Sequence, residues 1–122
     1  SPRELVARVN AVLRRAKTED QAEQIEIGGV IIDHLSRRVT ADGRRIDIAP
    51  TEYRLLYFFM SHADRAFSRS QLLDQVWGDQ VYVEERTVDV HVRRLRKALE
   101  ASGHEGLLQT VRGVGYRFSD KP

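Results

Sequence analysis

Four apolar residues, Val88, Val92, Leu95 and Leu99, recur at spacings of four, three and four. At 100° per residue they fall within about 60° of one another, a stripe wide enough to dock on a core. The segment Arg86–Leu99 is therefore expected to be a helix with one buried side. Its opposite side holds Arg86, Val90, Arg93, Arg94 and Lys97: four cations around one aliphatic residue, with no carboxylate among them. Such a face suits the major groove of a duplex, where cations bond phosphates or guanine edges and Val90 meets a thymine methyl. An ordinary solvated charged face has the same composition, so this helix alone leaves both readings open.

Gross charge does not announce a polyanion partner, because 20 basic and 18 acidic residues leave only +2. The distribution says more. From Arg86 to Arg117 seven cations stand against three acids, a local balance of +4. Acids elsewhere gather at Glu19, Asp20, Glu23 and Glu26, and at Asp79, Glu84 and Glu85. This asymmetry favours a polyanion contacting one face near the C-terminus. The chain has 122 residues, 41% of them hydrophobic, which suffices for one compact domain. The absence of cysteine excludes disulfides and thiolate zinc sites and fits a reducing cytoplasm. Four isolated histidines (His34, His62, His91, His104) lack metal-ligand spacing, and no nucleophile elbow or phosphate loop occurs. No metal, cofactor or enzymatic activity is expected. Nor is a membrane partner, since no apolar run approaches ~20 residues and no signal-peptide pattern occurs in these residues.

Along the chain, Ser1-Pro2-Arg3-Glu4 has the form of a capping box, followed by Leu5, Val6, Val9, Val12 and Leu13 at helical spacing. The chain opens on this helix start without an initiator Met, so we expect a piece of a longer protein. Residues 1–16 are expected to be the last helix of a preceding domain, with the alternative that the helix packs on its own domain, and 17–24 a polar linker. From Ile25 the period changes to two. Four short antiparallel strands are expected: Ile25–Ile27, Val30–Ile32, Arg37–Thr40 and Arg44–Ile48, with turns at Gly28-Gly29, at 33–36 and at Asp42-Gly43. At Pro50 the pattern becomes helical, with Glu52 in the first turn and a stripe of Leu55, Leu56, Phe59 and Ala63. Ala49 at the N-cap forgoes roughly 1 kcal/mol relative to Ser or Thr. A second helix starts at a capping box, Ser68 with Gln71, carries Leu72, Leu73 and Val76, and ends at Gly78. After the helix 86–99 comes a closing hairpin, Leu107–Arg112 and Tyr116–Phe118, around Gly113-Val114-Gly115.

Three helices, the third basic, followed by a hairpin describe an α+β fold: a winged helix-turn-helix with an N-terminal four-stranded antiparallel sheet and a C-terminal β-hairpin wing, spanning 25–119. In this architecture the third helix enters the major groove and the wing reaches the backbone or an adjacent minor groove. Phosphate contacts from Arg86, Arg93, Lys97 and Arg112 would supply much of the affinity and its salt sensitivity. An Arg such as Arg94, together with Val90, would read bases.

The residues Arg86-Thr87-Val88-Asp89-Val90-His91-Val92-Arg93-Arg94-Leu95-Arg96-Lys97, followed by Thr110-Val111-Arg112-Gly113-Val114-Gly115-Tyr116-Arg117-Phe118, resemble the effector domain of OmpR/PhoB-type response regulators. The resemblance extends to Ala49-Pro50-Thr51-Glu52-Tyr53, Ser68-Arg69-Ser70-Gln71-Leu72-Leu73 and Val76-Trp77-Gly78, and Ser1–Arg15 resembles the last helix of the family's receiver domain. It implies two protomers bound head to tail on direct-repeat DNA, with half-sites about one helical turn (~10 bp) apart. It also implies a fragment that is monomeric off DNA. The DNA contacts it implies fall on Arg86, Thr87, Val90, His91, Arg93, Arg94 and Arg96 in the helix and on Thr110, Arg112 and Tyr116 in the wing. The loop 77–85 is where this family meets RNA polymerase, which makes Trp77, Gly78, Asp79, Val83, Glu84 and Glu85 the contacts expected here. Control by a sensor kinase acting on a receiver domain outside this sequence is likewise implied. Two positions depart from the pattern: Ala49, where many members carry a capping Thr, and Ser70, where similar sequences carry an acid near the polymerase-facing surface.

The residues themselves leave some roles open. His91 lies at the border of the two helix faces and suits either a structural histidine or a phosphate donor. Arg96 lies nearer the core side, where a carboxylate is an alternative partner, and Tyr116 either packs at the wing base or donates to a phosphate. Trp77 suits the core as well as the loop surface, whose acids complement the following helix N-terminus and repel phosphates. The rival function is a winged helix used purely for protein–protein assembly, its basic face binding an acidic partner.

Overall fold

The structure, a computed structural model, describes residues 24–78 and 83–121. The helix expected over 1–16, the linker up to Glu23 and the loop residue Asp79 lie outside them. Strands β1 (Gln24–Ile27), β2 (Val30–Asp33), β3 (Arg38–Ala41) and β4 (Arg44–Ile46) form an antiparallel meander in sequence order. Gln24, expected in the linker, is instead the first residue of β1 and pairs with Asp33. Two turns hold the register, Ile27 opposite Val30 and Ala41 opposite Arg44. Both central residues of each turn have positive φ: 58° and 93° at Gly28-Gly29, 52° and 84° at Asp42-Gly43. This mirror-image turn matches the strand twist, which is why Gly-Gly and Asp-Gly occupy it. The third strand starts one residue later than expected because Arg37 takes φ 60° and belongs to the preceding turn. The fourth stops at Ile46, short of Ile48.

Alternation places Val30, Ile32, Val39 and Ala41 on one buried face of the meander. Against the core lies α1 (Pro50–Ser61), which buries Tyr53, Leu55, Leu56, Phe59 and Met60. Pro50 opens it and Ala49 supplies no side-chain cap, as its composition requires; the helix ends at Ser61, so Ala63 lies beyond it. Next, α2 (Arg69–Leu72) starts at a complete capping box. The Gln71 N–H donates to Ser68 Oγ (3.1 Å) and the Ser68 N–H to Gln71 Oε1 (2.8 Å). It continues into a π turn, Leu73–Trp77, closed by Gly78 at φ 62°. A turn of i→i+5 bonding carries Trp77 round to the side of Leu72, and both are buried.

Helix α3 (Glu85–Glu100) starts one residue before the expected position and buries Val88, Val92, Leu95 and Leu99. A short 3₁₀ turn, Glu105–Leu107, leads to β6 (Leu108–Val111) and β7 (Gly115–Phe118). Leu107 and Arg112, expected in the hairpin's first strand, fall in the flanking turns, while Gly115 belongs to β7. A strand that the sequence does not announce, β5 (Ala66–Phe67), pairs with β7 and gives a three-stranded sheet in the order β5-β7-β6. Two residues are too few to display a period.

The β5–β7 contact leaves no room at Gly115. A Cβ there would lie 2.0 Å from the Phe67 carbonyl oxygen, which is backbone and cannot swing away. Gly115→Ala is expected to destabilise the domain by about 3 kcal/mol, read as a lowered urea midpoint, while Gly113→Ala at the open wing turn costs less.

On the other side, His34 stacks on Tyr57 (centroids 3.9 Å apart) and its Nδ1 lies 2.7 Å from the Tyr53 hydroxyl. Burial first, and the Arg37 charge second, hold its pKa below the ordinary 6.5, which favours the neutral ring in its bond to the Tyr53 hydroxyl. Because the folded value lies below the unfolded one, this contribution is complete above pH 6.5 and is lost as the pH falls below it. Thermal melts between pH 7.5 and 5.5 should show a decline that His34→Gln reduces.

Candidate nucleic-acid interface

The rotation of α3 about its axis is set by its apolar stripe, and the opposite side consequently faces solvent. Arg86, Arg93, Arg94 and Lys97 are exposed there, with Val90 and Thr87 half-buried between them. Arg86 Nε donates to Glu84 Oε1 at 3.0 Å, with both side chains largely exposed. A pair of this kind is worth well under 1 kcal/mol in water and exchanges readily for a phosphate. Beside this face, Arg112 and Val114 stand exposed at the wing tip. An open groove of about 450 Å³ separates wing from helix, lined by Arg69, Asp89, Thr110, Arg112 and Tyr116.

Several other residues singled out by the sequence have protein partners. Arg96 Nε donates to the Leu108 carbonyl (2.9 Å) and its Nη2 to Thr110 Oγ1 (2.6 Å), while its guanidinium lies 5.6 Å from the Tyr116 ring centre. The fork that was an expected DNA contact thus ties α3 to the wing, and it engages Thr110 as well. Tyr116 donates its hydroxyl to Asp89 Oδ1 at 2.5 Å. Burial and this bond raise its pKa, which keeps the hydroxyl a donor. Asp89 Oδ2 takes a second bond from Arg69 Nη1 at 3.3 Å. His91 packs beside Trp77, and its Nδ1 lies 2.7 Å from Oε2 of the buried Glu52. In this structure the half-buried His91, Arg96 and Tyr116 and the exposed Thr110 each have a partner within the protein.

In the loop after α2, Trp77 is 7% exposed and is a core residue, which corrects its expected place on a partner-facing surface. Its ring lies 5.5 Å from that of His91, in the buried cluster that also holds Leu72. Gly78, Glu84 and Glu85 are exposed, and Val83 is half-buried. Sequence reasoning missed Arg69, Asp89 and Glu52 as members of the site. A signal existed: from Val88, Asp89 and Arg96 lie at about 100° and 80°, one shared flank of the helix, and His91 at about 300° marks the other. Among the described residues no group of acids and histidines could hold a metal, and no helix is long and apolar enough to cross a membrane.

A helix with a free cationic face, an uncapped groove and a braced hairpin beside it define a winged helix-turn-helix. A family model described as "Transcriptional regulatory protein, C terminal" matches residues 43–118. The phosphate regulon transcriptional regulatory protein PhoB of Pseudomonas aeruginosa is 64% identical over 121 residues, covering 99% of this chain and 52% of that protein. PhoB of Escherichia coli is 56% identical over 121 residues, with coverage of 99% and 53%. The chain therefore belongs to the C-terminal effector family of OmpR/PhoB-type transcriptional regulators. It spans about half the length of the curated relatives it matches. Among solved structures, the AdeR DNA-binding domain in complex with an intercistronic region superposes with a TM-score of 0.71 at 32% identity, covering 79% of this chain and 99% of that one. The Klebsiella pneumoniae RstA DNA-binding domain in complex with the RstA box gives 0.70 at 30% identity, covering 80% and 98%.

The roles of His91 separate experimentally. If it holds the buried Glu52 carboxylate, His91→Ala strands that group and destabilises the fold by about 2–3 kcal/mol in urea denaturation. A histidine serving only as a phosphate donor would leave the midpoint unchanged and lower DNA affinity alone.

Proposed function

We propose that this chain binds duplex DNA with α3 in the major groove and the wing against the adjacent backbone or minor groove, as the effector part of a two-component response regulator. The observation that carries this reading is the exposed set Arg86, Arg93, Arg94 and Lys97 around Val90, with Arg112 beside it. Similarity to two DNA-binding domains solved on DNA supports it, and similarity to PhoB supports control of a phosphate regulon. Two protomers sit head to tail on direct repeats. Arg86, Arg93, Lys97 and Arg112 neutralise phosphates, while Arg94 and Val90 read base edges. Gly78, Asp79, Val83, Glu84 and Glu85 form the surface for RNA polymerase, since their acids disfavour a phosphate partner. Residues 1–16 end a receiver domain that a sensor kinase controls, residues 17–23 link it to the effector, and the protein works in the cytoplasm without catalysing a reaction itself.

Electrophoretic shifts on direct-repeat and scrambled duplexes across a salt series test this reading. Binding should be tighter on repeats and fall steeply with salt. Arg93→Ala should weaken both duplexes alike and reduce the salt slope by about 1. Val90→Ala should cost about 1 kcal/mol on the repeat alone and leave the slope intact. Absence of any shift would point instead to a protein-assembly module.

A further inference from the structure

A second cationic surface lies on β3, β4 and the start of α1. Where β3 and β4 meet the start of α1, Arg37, Arg38, Arg45 and Arg54 line an open groove of about 360 Å³ floored by Ile46, Pro50 and Tyr53. All four arginines are exposed. Arg37 lies over the Tyr53 ring at 5.5 Å, and Arg45 meets Asp47 at 3.5 Å across two highly exposed side chains. Its β4 end borders α3, where Arg45 and Asp47 line a shared hollow with Lys97 and Ala98; Arg37, Arg38 and Arg54 lie toward the start of α1.

Strand register shows what stands next to this groove. Gln24 pairs with Asp33, which pairs with Arg38, so the first residue of β1 sits in one row with the groove's edge. Two strand spacings, roughly 10 Å, separate them. Alternation puts Gln24 and Glu26 on the same outer face as Arg38 and Arg45, since the intervening row Ile25-Ile32-Val39-Ile46 points to the core. The chain enters this row from a segment rich in acid, Lys17-Thr18-Glu19-Asp20-Gln21-Ala22-Glu23. Seven residues reach at most roughly 23 Å, enough to cross from Gln24 over Arg38 to the groove.

We propose that the acidic segment 17–23 docks in this arginine groove, with Glu19, Asp20 and Glu23 facing Arg37, Arg38, Arg45 and Arg54. The tether has two consequences. It gives the preceding part of the protein a preferred, salt-sensitive approach to the effector domain. It also screens the second basic surface, so that nucleic acid is drawn to α3 and the wing alone. Only this last consequence rests on the DNA-binding reading.

The test is a variant of the intact chain with Glu19→Gln, Asp20→Asn and Glu23→Gln, followed by the arginine Nε–Hε signals in NMR spectra. At low salt these signals of Arg38, Arg45 and Arg54 should shift in the variant, in the direction that added salt produces in the unsubstituted chain. The complementary variant Arg38→Gln with Arg54→Gln should shift the backbone amides of residues 19–23. In shift assays the acid-neutralised variant should bind scrambled duplex several-fold more tightly, with a steeper salt slope. Arginine signals that stay in place when the acids are neutralised would overturn the proposal. So would arginine signals that move only when duplex is added, since the groove would then be a second nucleic-acid site. The NMR readings stand even if the chain binds no DNA.

Discussion

The rotation of α3 about its own axis is the constraint on which the rest depends. Burial of Val88, Val92, Leu95 and Leu99 contributes roughly 1.5–3 kcal/mol per side chain, more than any single exposed charge on the same helix can oppose. A slip of one residue, 100°, would withdraw that stripe and turn Asp89 and Arg96 into the core. The cationic face is therefore outward because the apolar face has no other place to go. Polar bonds then fix both flanks: Glu52 of α1 meets His91 on one side, and Arg96 and Asp89 reach the wing on the other. The helix is clamped at its stripe and along both edges.

The wing owes its position to contacts made within the protein. A third strand, β5, widens its base, and the missing side chain of Gly115 lets the Phe67 carbonyl approach β7. Arg96 spends its guanidinium fork on the Leu108 carbonyl and the Thr110 hydroxyl, which locks β6 against α3. Pre-organisation of this sort lowers the ordering cost of association, so bonds made within the protein also bear on affinity.

Much of this was legible in the residues, and the exceptions have physical causes. Periodicity gave the buried stripe of α3 and its exposed cations, because burial repeats at the helical period. Gly28-Gly29, Asp42-Gly43 and Ser68 with Gln71 marked turns and a cap, because those positions demand particular side chains. What escaped is non-local. Ala66-Phe67 becomes a strand only because β7 arrives fifty residues later. Trp77, for which core and surface both stood open, is buried at the end of a π turn that no local preference announces. Glu52 looked like a first-turn acid on α1 and is also that, yet its partner His91 stands on another helix. For Arg96, His91 and Tyr116 the residues alone left a structural role open beside a DNA contact, because composition cannot distinguish a donor aimed at a phosphate from one aimed at a carbonyl.

Near-neutrality is the condition that makes such a face selective. A chain with a large net positive charge is held by any duplex at any orientation, and its specific site competes with that background. Here the total is +2, so attraction depends on where the charges lie. Asp89 stands among the cations of α3, but Arg69 and Tyr116 bind both of its oxygens, so it subtracts little from the field that Arg93 and Arg94 present. Glu84 and Glu85 stand at the helix N-terminus, where the peptide dipoles stabilise them and where they mark the edge at which a polyanion is no longer welcome. The arginines of β3, β4 and α1 are a second basic surface, which meets α3 where Arg45 and Lys97 line one hollow. A protein that must choose one face has to neutralise the other, and the acids needed for that lie in the chain immediately before β1.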